Sequence, residues 1–192
     1  MIAVIKYNAG NIRSVANALS RLGQECVITD NKEDICNADR VIFPGVGEAG
    51  SAMRYLRERQ LDKVIKALKQ PVLGICLGLQ LMCRYSEEGD TECLGIFDSD
   101  VRKFPKSDIV PHMGWDNFSS VEGALFKGIK TEDDVYYVHS YYPEISSCTI
   151  AVCDYIVPFS AAMRKDNFYA TQFHPEKSAS AGELMLKNFL EL

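Results

Sequence analysis

The chain has no apolar run approaching the ~20 residues that a membrane-spanning helix needs. Its start, "MIAVIKYNAG", lacks the basic segment, long apolar stretch and small-residue cleavage site of a secretory signal, and reads as a first core strand. Basic charge is not in excess: 21 Lys and Arg stand against 26 Asp and Glu, for a net charge of -5. That argues against a nucleic-acid or membrane-binding surface. No C-x-x-C occurs, and the seven cysteines are odd in number and scattered in spacing. A disulfide framework or structural zinc site is therefore not indicated. Only three histidines are present, His112, His139 and His174, with no ligand-like spacing. The expectation is a cytoplasmic protein with reduced thiols, no metal and no cofactor. Linkers, repeats and low-complexity segments are also missing. One domain over residues 1–192 is expected, long enough to bury a sizeable core.

What is present falls into two textures. Ile2 to Tyr7 is a short β-rich run, turned by "NAGN". Ile12, Val15, Ala16, Leu19 and Leu22 recur at helical spacing, with Gly23 where a C-cap belongs. Strands are predicted at Cys26–Thr29, Arg40–Phe43 and "VLGI" (72–75), with helices over Ala52–Leu68 and Leu77–Tyr85. Alternation of strand and helix is the pattern of a parallel sheet covered on both faces. After Gly89 the runs become short and β-rich: "VRKF", "NFSSV", "VYYVHSYY", "TIAVCDY", "SAAMRK" and "FYATQF". These read as antiparallel strands laid onto the parallel half. Met185, Leu186, Phe189 and Leu190 form the apolar face of a final helix. The class is α/β.

Gly74-Ile75-Cys76-Leu77-Gly78 fits G-x-C-x-G, the thiol form of a nucleophile elbow. A reactive residue on a sharp strand-to-helix turn is lifted out of the sheet, and flanking glycines remove the Cβ atoms that would collide. The helix N-terminus favours thiolate, and the Leu77 N–H is placed to donate to an oxyanion. A core thiol is the plainer reading of Cys76. The difference comes from His174 in "QFHPEKS", which follows a strand and has Glu176 two residues on. Cys76, His174 and Glu176 then supply nucleophile, base and orienting acid. His139 lies in a tyrosine-rich run and His112 beside the one tryptophan; neither has an acid two residues on.

"GICLGLQ" and "HPE" resemble the signature of class I (triad-type) glutamine amidotransferases. More narrowly, "YNAGNIRSV", "FPGVGEAG", "GICLGLQLMCRYSEEG", "PHMGWD", "YYVHSYY" and "FHPEKS" resemble, in order and nearly end to end, the glutaminase subunits of imidazole glycerol phosphate synthases. The resemblance implies the family's fold, a mostly parallel central sheet covered by helices with antiparallel strands added in the C-terminal half. It implies Cys76 as nucleophile, His174 as base and Glu176 as orienter for hydrolysis of L-glutamine. The "PGVG" loop is implied to supply an oxyanion N–H near Gly45 or Val46, beside that of Leu77. Gln80 and Glu88 are implied to hold the substrate's α-carboxylate and α-amino ends, with backbone contacts from Ser140 and Tyr141. Trp115, Tyr136 and Lys177 match positions at the interface with a separate barrel-shaped cyclase subunit. The family usually has asparagine after the tryptophan, where this chain has Asp116. Two rivals stay open: a glutaminase subunit of another pathway, such as pyridoxal phosphate synthase, and a redox or chaperone-like cysteine protein of similar fold.

Overall fold

The computed structural model describes residues 1–8 and 10–192. β1 (Ile2–Ile5), β2 (Cys26–Thr29), β3 (Arg40–Gly45) and β4 (Val72–Cys76) run parallel in the spatial order β2-β1-β3-β4. Ala3, Ile5, Val41 and Phe43 face one apolar cluster, and Ile2, Val4, Ile42 and Leu73 the other. A strand covered on both faces needs apolar side chains at every position, which is why these runs are unbroken. α1 (Ile12–Arg21) covers one face. α2 (Lys32–Asn37), α3 (Ala49–Glu58), α4 (Leu61–Ala67) and the short α5 (Leu77–Met82) cover the other.

Several elements differ from the sequence expectation. The helix expected over residues 52–68 is two, parted at Gln60 in a left-handed conformation (φ 56°). Leu56 and Leu61, five positions apart, would stand about 140° apart around a continuous helix; the break lets both enter one cluster, fully buried. The strand expected to stop at Phe43 continues through Pro44 and Gly45, so that Gly45 pairs with Cys76. Proline is tolerated there because the β1 ladder on its other side ends at Ile42. α2 was not expected at all. Its start is fixed by Asn31, whose side chain accepts from the Glu33 and Asp34 N–H groups at 2.8 and 3.3 Å.

The chain leaves the main sheet after α5, which ends at Met82 and not at Tyr85. β5 (Tyr85–Ser86), β6 (Thr91–Glu92) and β7 (Asp100–Lys103) begin a small sheet, and β8 (His112–Asp116) begins a two-stranded ribbon. After β9 (Ser120–Val121), β10 (Val135–His139) pairs with β8, and β11 (Tyr141–Pro143) pairs with β7. The tyrosine-rich run is thus two strands in two sheets, hinged at Ser140. β12 (Thr149–Asp154), β13 (Pro158–Lys165) and β14 (Phe168–Thr171) then complete an eight-stranded sheet, ordered β2-β1-β3-β4-β14-β13-β12-β9. β14 is parallel to β4 and antiparallel to β13. β9 and β12–β14 are therefore hydrogen-bonded into the same sheet, edge to edge, and not laid upon it, while β5–β8, β10 and β11 form the two smaller sheets. α6 (Ala179–Glu191) packs Met185, Leu186 and Phe189 against the α1 face. Among the described residues no helix is long and apolar enough to cross a membrane.

Candidate active site

Cys76 ends β4 and caps α5. Its backbone (φ 53°, ψ -107°) lies in a region that residues with side chains rarely occupy, and such strain concentrates at functional turns. The flanks show why glycine is required. A Cβ on Gly78 would stand 1.8 Å from the Phe43 carbonyl oxygen, and one on Gly74 would crowd Met82, Ala170 and Gly78 at 3.0 to 3.1 Å. β3 and the first turn of α5 are pressed together at the sulfur, and only hydrogen fits between them. All seven cysteines are free, and Cys76 is buried at the end of its strand.

β14 lies beside β4, and the chain leaving it brings His174 back toward the same edge. The His174 backbone N–H donates to the Tyr136 carbonyl at 2.9 Å, and the Ser178 hydroxyl donates to the His174 carbonyl at 2.7 Å. These bonds fix the base of the ring. Nδ1 lies 2.8 Å from Glu176 Oε1, and both side chains are fully buried. A carboxylate accepts, so Nδ1 carries the proton and Nε2 is left for the sulfur. Burial works against charge on His174, but the neighbouring Cys76 and Glu176 acids outweigh it and lift its pKa to about 10.

A cavity of about 310 Å³ opens above the turn. It is lined by Cys76, Leu77, Val46, Gln80, Glu88, Ser140 and Tyr141, all singled out from the sequence, and also by His139. Gly45 does not line it; it sits in the ladder opposite Cys76, where an added Cβ would strike the Tyr7 hydroxyl. Glu88 Oε2 accepts from the Ala49 N–H at 2.9 Å, at the start of α3. Burial raises the Glu88 pKa, opposed by that N–H. Gln80 is arranged differently from the expectation. Its Nε2 donates to the Tyr141 carbonyl and to Gln172 Oε1, both at 3.0 Å. Both N–H groups are spent inside the protein, so Gln80 offers the cavity an acceptor, not a donor for a carboxylate.

Three residues at the site, Gln172, Asn11 and Tyr7, were given no role from the sequence, and a fourth, His139, was read only as strand packing that could line a pocket. Gln172 Nε2 approaches Cys76 Sγ at 3.6 Å. Asn11 Nδ2 donates to Glu176 Oε1 and lies 3.2 Å from His174 Nδ1. Tyr7 is buried beside Cys76, and its phenol pKa is raised well above the usual value by burial and then by the thiol's charge. His139 donates through Nδ1 to the Tyr141 carbonyl at 2.8 Å. Asn11 and Gln172 lie within the quoted stretches "YNAGNIRSV" and "QFHPEKS" but drew no role, because what they touch is 163 and 96 residues away in sequence.

Trp115, Tyr136 and Lys177 lie outside the cavity. Tyr136 pairs with Trp115 across the β8–β10 ribbon, their rings edge to face at 6.0 Å, and the Lys177 ammonium stands 5.8 Å from the Tyr136 ring. Trp115 is 55% exposed and Met113 beside it 66%. Among the described residues no group of three His, Cys, Asp or Glu is placed to hold a metal ion.

The family model "Glutamine amidotransferase class-I" matches residues 3–192. A Bacteroides fragilis protein named imidazole glycerol phosphate synthase subunit HisH is 63% identical over 194 residues, covering 100% of this chain and 99% of its own. The Escherichia coli protein of the same name is 45% identical, with the same coverage of 100% and 99%. Among solved structures, a glutamine amidotransferase superposes with a TM-score of 0.76 at 19% identity, covering 100% of this chain and 98% of that one. The glutaminase domain of Trypanosoma brucei CTPS superposes with 0.67 at 19% identity, covering 99% and 93%. A family match over residues 3–192, a fold match over the whole chain and a relative 63% identical end to end agree with the elbow geometry just described: the chain belongs to the class I glutamine amidotransferase family.

Proposed function

We propose that the chain is the glutaminase subunit of imidazole glycerol phosphate synthase, acting as one cytoplasmic domain over residues 1–192. The observation that carries this is the elbow itself: Cys76 in a strained turn, backed by the buried His174–Glu176 pair, facing a cavity of about 310 Å³. The names of full-length relatives support the pathway over the pyridoxal phosphate alternative. A redox or chaperone-like thiol would have no use for a buried carboxylate behind the histidine.

In the proposed reaction the Cys76 thiolate attacks the side-chain carboxamide carbon of L-glutamine. The carbonyl π pair moves to oxygen, which the Leu77 N–H and an N–H of the Gly45–Val46 segment stabilise. His174, protonated and held by Glu176, gives its Nε2 proton to the departing nitrogen as the C–N bond breaks, releasing ammonia. Neutral His174 then takes a proton from water as that water attacks the γ-glutamyl thioester, freeing glutamate and the thiolate. Glu88 faces the substrate ammonium, and the Gln80 carbonyl oxygen is available to the same group.

The freed ammonia must avoid water, where near neutral pH it becomes ammonium and loses its nucleophilic pair. A dry route into a second protein meets that need. We place the cyclase subunit on the exposed face carrying Trp115, Tyr136 and Lys177, with Lys177 opposite a partner carboxylate. The test is Cys76→Ala in the assembled complex. Glutamine-dependent synthesis should vanish while synthesis from added ammonium salt continues. Substantial glutamate release by that variant would refute the assignment.

A further inference from the structure

Two of the three histidines have no part in the reaction above, yet both are buried and touch. His112 Nδ1 lies 3.2 Å from His139 Nε2. His112 Nε2 lies 3.2 Å from Asp116 Oδ2. His139 Nδ1 lies 2.8 Å from the Tyr141 carbonyl, which also accepts from Gln80. An unbroken chain of polar contacts therefore runs from Asp116, on the ribbon that bears Trp115 and Tyr136, to the wall of the cavity.

Proton counting constrains this chain. A carbonyl oxygen only accepts, so His139 Nδ1 must carry a proton. A carboxylate only accepts, so a proton must also lie between His112 Nε2 and Asp116. The His112–His139 contact needs a third. Two neutral imidazoles and a carboxylate supply two protons between them. With only two, one of the three contacts sets lone pair against lone pair. All three are satisfied only when the network holds one additional proton.

We propose that His112 and His139 are positioning residues for the glutamine pocket, sharing that additional proton against Asp116 and so fixing the Tyr141 carbonyl and the Gln80 amide that donates to it. The inference rests on the glutamine reading of the cavity. The surroundings put the charge at the His112–Asp116 end. His139 is pushed down to about 3, chiefly by burial, with His112 and His174 adding repulsion and the Tyr141 carbonyl opposing. The His112 pKa is also lowered by burial, but less far, because the charge and hydrogen bond of Asp116 oppose it. The remaining neighbours do not compete for the proton. Tyr155 and Tyr137 stack on the His112 ring at 3.9 and 4.7 Å, and Phe104 and Phe159 close the other sides. From β12 the Cys153 thiol adjoins Asp116 and Tyr137, and burial pushes both Cys153 and Tyr137 up, so each stays neutral near pH 7.

The sign follows. The network is complete below its midpoint and loses a contact as pH rises through it, so the KM for glutamine should rise with pH while kcat holds. Removing the counter-charge should move that midpoint down by about 1–3 pH units.

With three histidines in the chain, ring-nitrogen NMR of histidine-labelled protein resolves each one. The expected result is His139 held as the neutral Nδ1–H tautomer below the midpoint and exchanging tautomers above it, with His112 titrating between doubly and singly protonated forms. The midpoint should fall in Asp116→Asn and be restored in Asp116→Glu. In the complex with the cyclase, the pH at which KM rises should follow the same midpoints, with a KM change of roughly tenfold for one lost hydrogen bond. Overturning results are a His112 ring that never takes a second proton, or a titration indifferent to Asp116→Asn. A KM profile that ignores a shifted midpoint would equally remove the positioning role. A wild-type complex that turns over no glutamine would instead strike the proposed function, and the spectra would still decide the shared proton.

Discussion

Gly78→Ala tests the compression at the elbow. The new Cβ would lie 1.8 Å from the Phe43 carbonyl oxygen and 3.0 Å from its carbon. Ordinary contact begins near 3.4 Å, so about 1.6 Å of separation must be created. Both sides are backbone. Phe43 is registered against Gly74 in the β3–β4 ladder and cannot retreat alone, so α5 must move. Overpacking of this kind costs about 1–3 kcal/mol, offset by up to ~1 kcal/mol from the better helix propensity of alanine. A net loss of about 1–2 kcal/mol should lower Tm by roughly 2–8 °C at this chain length. Activity should fall further than stability. α5 begins at Leu77, whose N–H is proposed to meet the oxyanion, and a displacement near 1 Å at a reacting centre costs on the order of 10²-fold in kcat. Gly95→Ala is the control: its φ of +68° carries a left-handed strain of about 1 kcal/mol, but nothing lies within 4 Å of an added Cβ. Calorimetry and glutamate release in the complex give both numbers. If Gly78→Ala matches Gly95→Ala in both, the elbow is not compressed as described.

Other perturbations separate the parts of the site. Gln80→Glu sets a carboxylate against the Tyr141 carbonyl and Gln172 Oε1 and should raise the KM for glutamine more than tenfold, beyond the effect of Gln80→Leu; the reverse order would mean that the two internal donations of Gln80 do not hold the pocket. Glu176→Gln withdraws the charge that helps hold His174 near a pKa of about 10, so the alkaline limit of glutaminase activity should move to lower pH. A histidine pKa raised in the folded state stabilises it fully below the unfolded value of ~6.5 and ceases to do so as pH climbs through about 10. Urea unfolding should therefore show stability declining across that window, and less so in Cys76→Ala, where the largest raising influence is gone. Trp115→Ala should weaken binding to the cyclase by about 2 kcal/mol, near 30-fold in Kd, as for a buried aromatic anchor, with the isolated chain's Tm unchanged.

The parallel half was legible because each strand is buried on both faces and each helix alternates its apolar stripe. The errors fall where a local signal was absent or was overruled. "RYLRERQLDKVIKAL" contains good helix formers throughout, so no residue marks the break at Gln60; what breaks the helix is the need to bury Leu56 and Leu61 together. "DNKEDICN" did carry a capping signal for α2, but six residues with a single buried side chain, Ile35, leave no periodicity to read. "HMGWD" was hidden as a strand by its glycine, while its alternation (His112 and Asp116 inward, Met113 and Trp115 outward) becomes visible only when β10 lies beside it.

Side-chain chemistry was less legible than side-chain position. The elbow, histidine and acid could be named because they are local: three residues within two short motifs. The direction in which Gln80 points its amide could not, since it depends on Tyr141 and Gln172, 61 and 92 residues away. Once both of its N–H groups are accounted for, its remaining oxygen joins Glu88 as a second acceptor in the cavity. Two acceptors suit the substrate's ammonium and leave its carboxylate to other donors. The wall to which Gln80 is bonded is built around the Ser140 hinge, where one tyrosine-rich run divides between two sheets. That division gives the hinge a direct route to the exposed ribbon. The His174 backbone N–H is held by the Tyr136 carbonyl, and Tyr136 is packed against Trp115 and near Lys177. A partner seated on that face would press on the strand that holds the base, through one hydrogen bond and without any contact to the thiol.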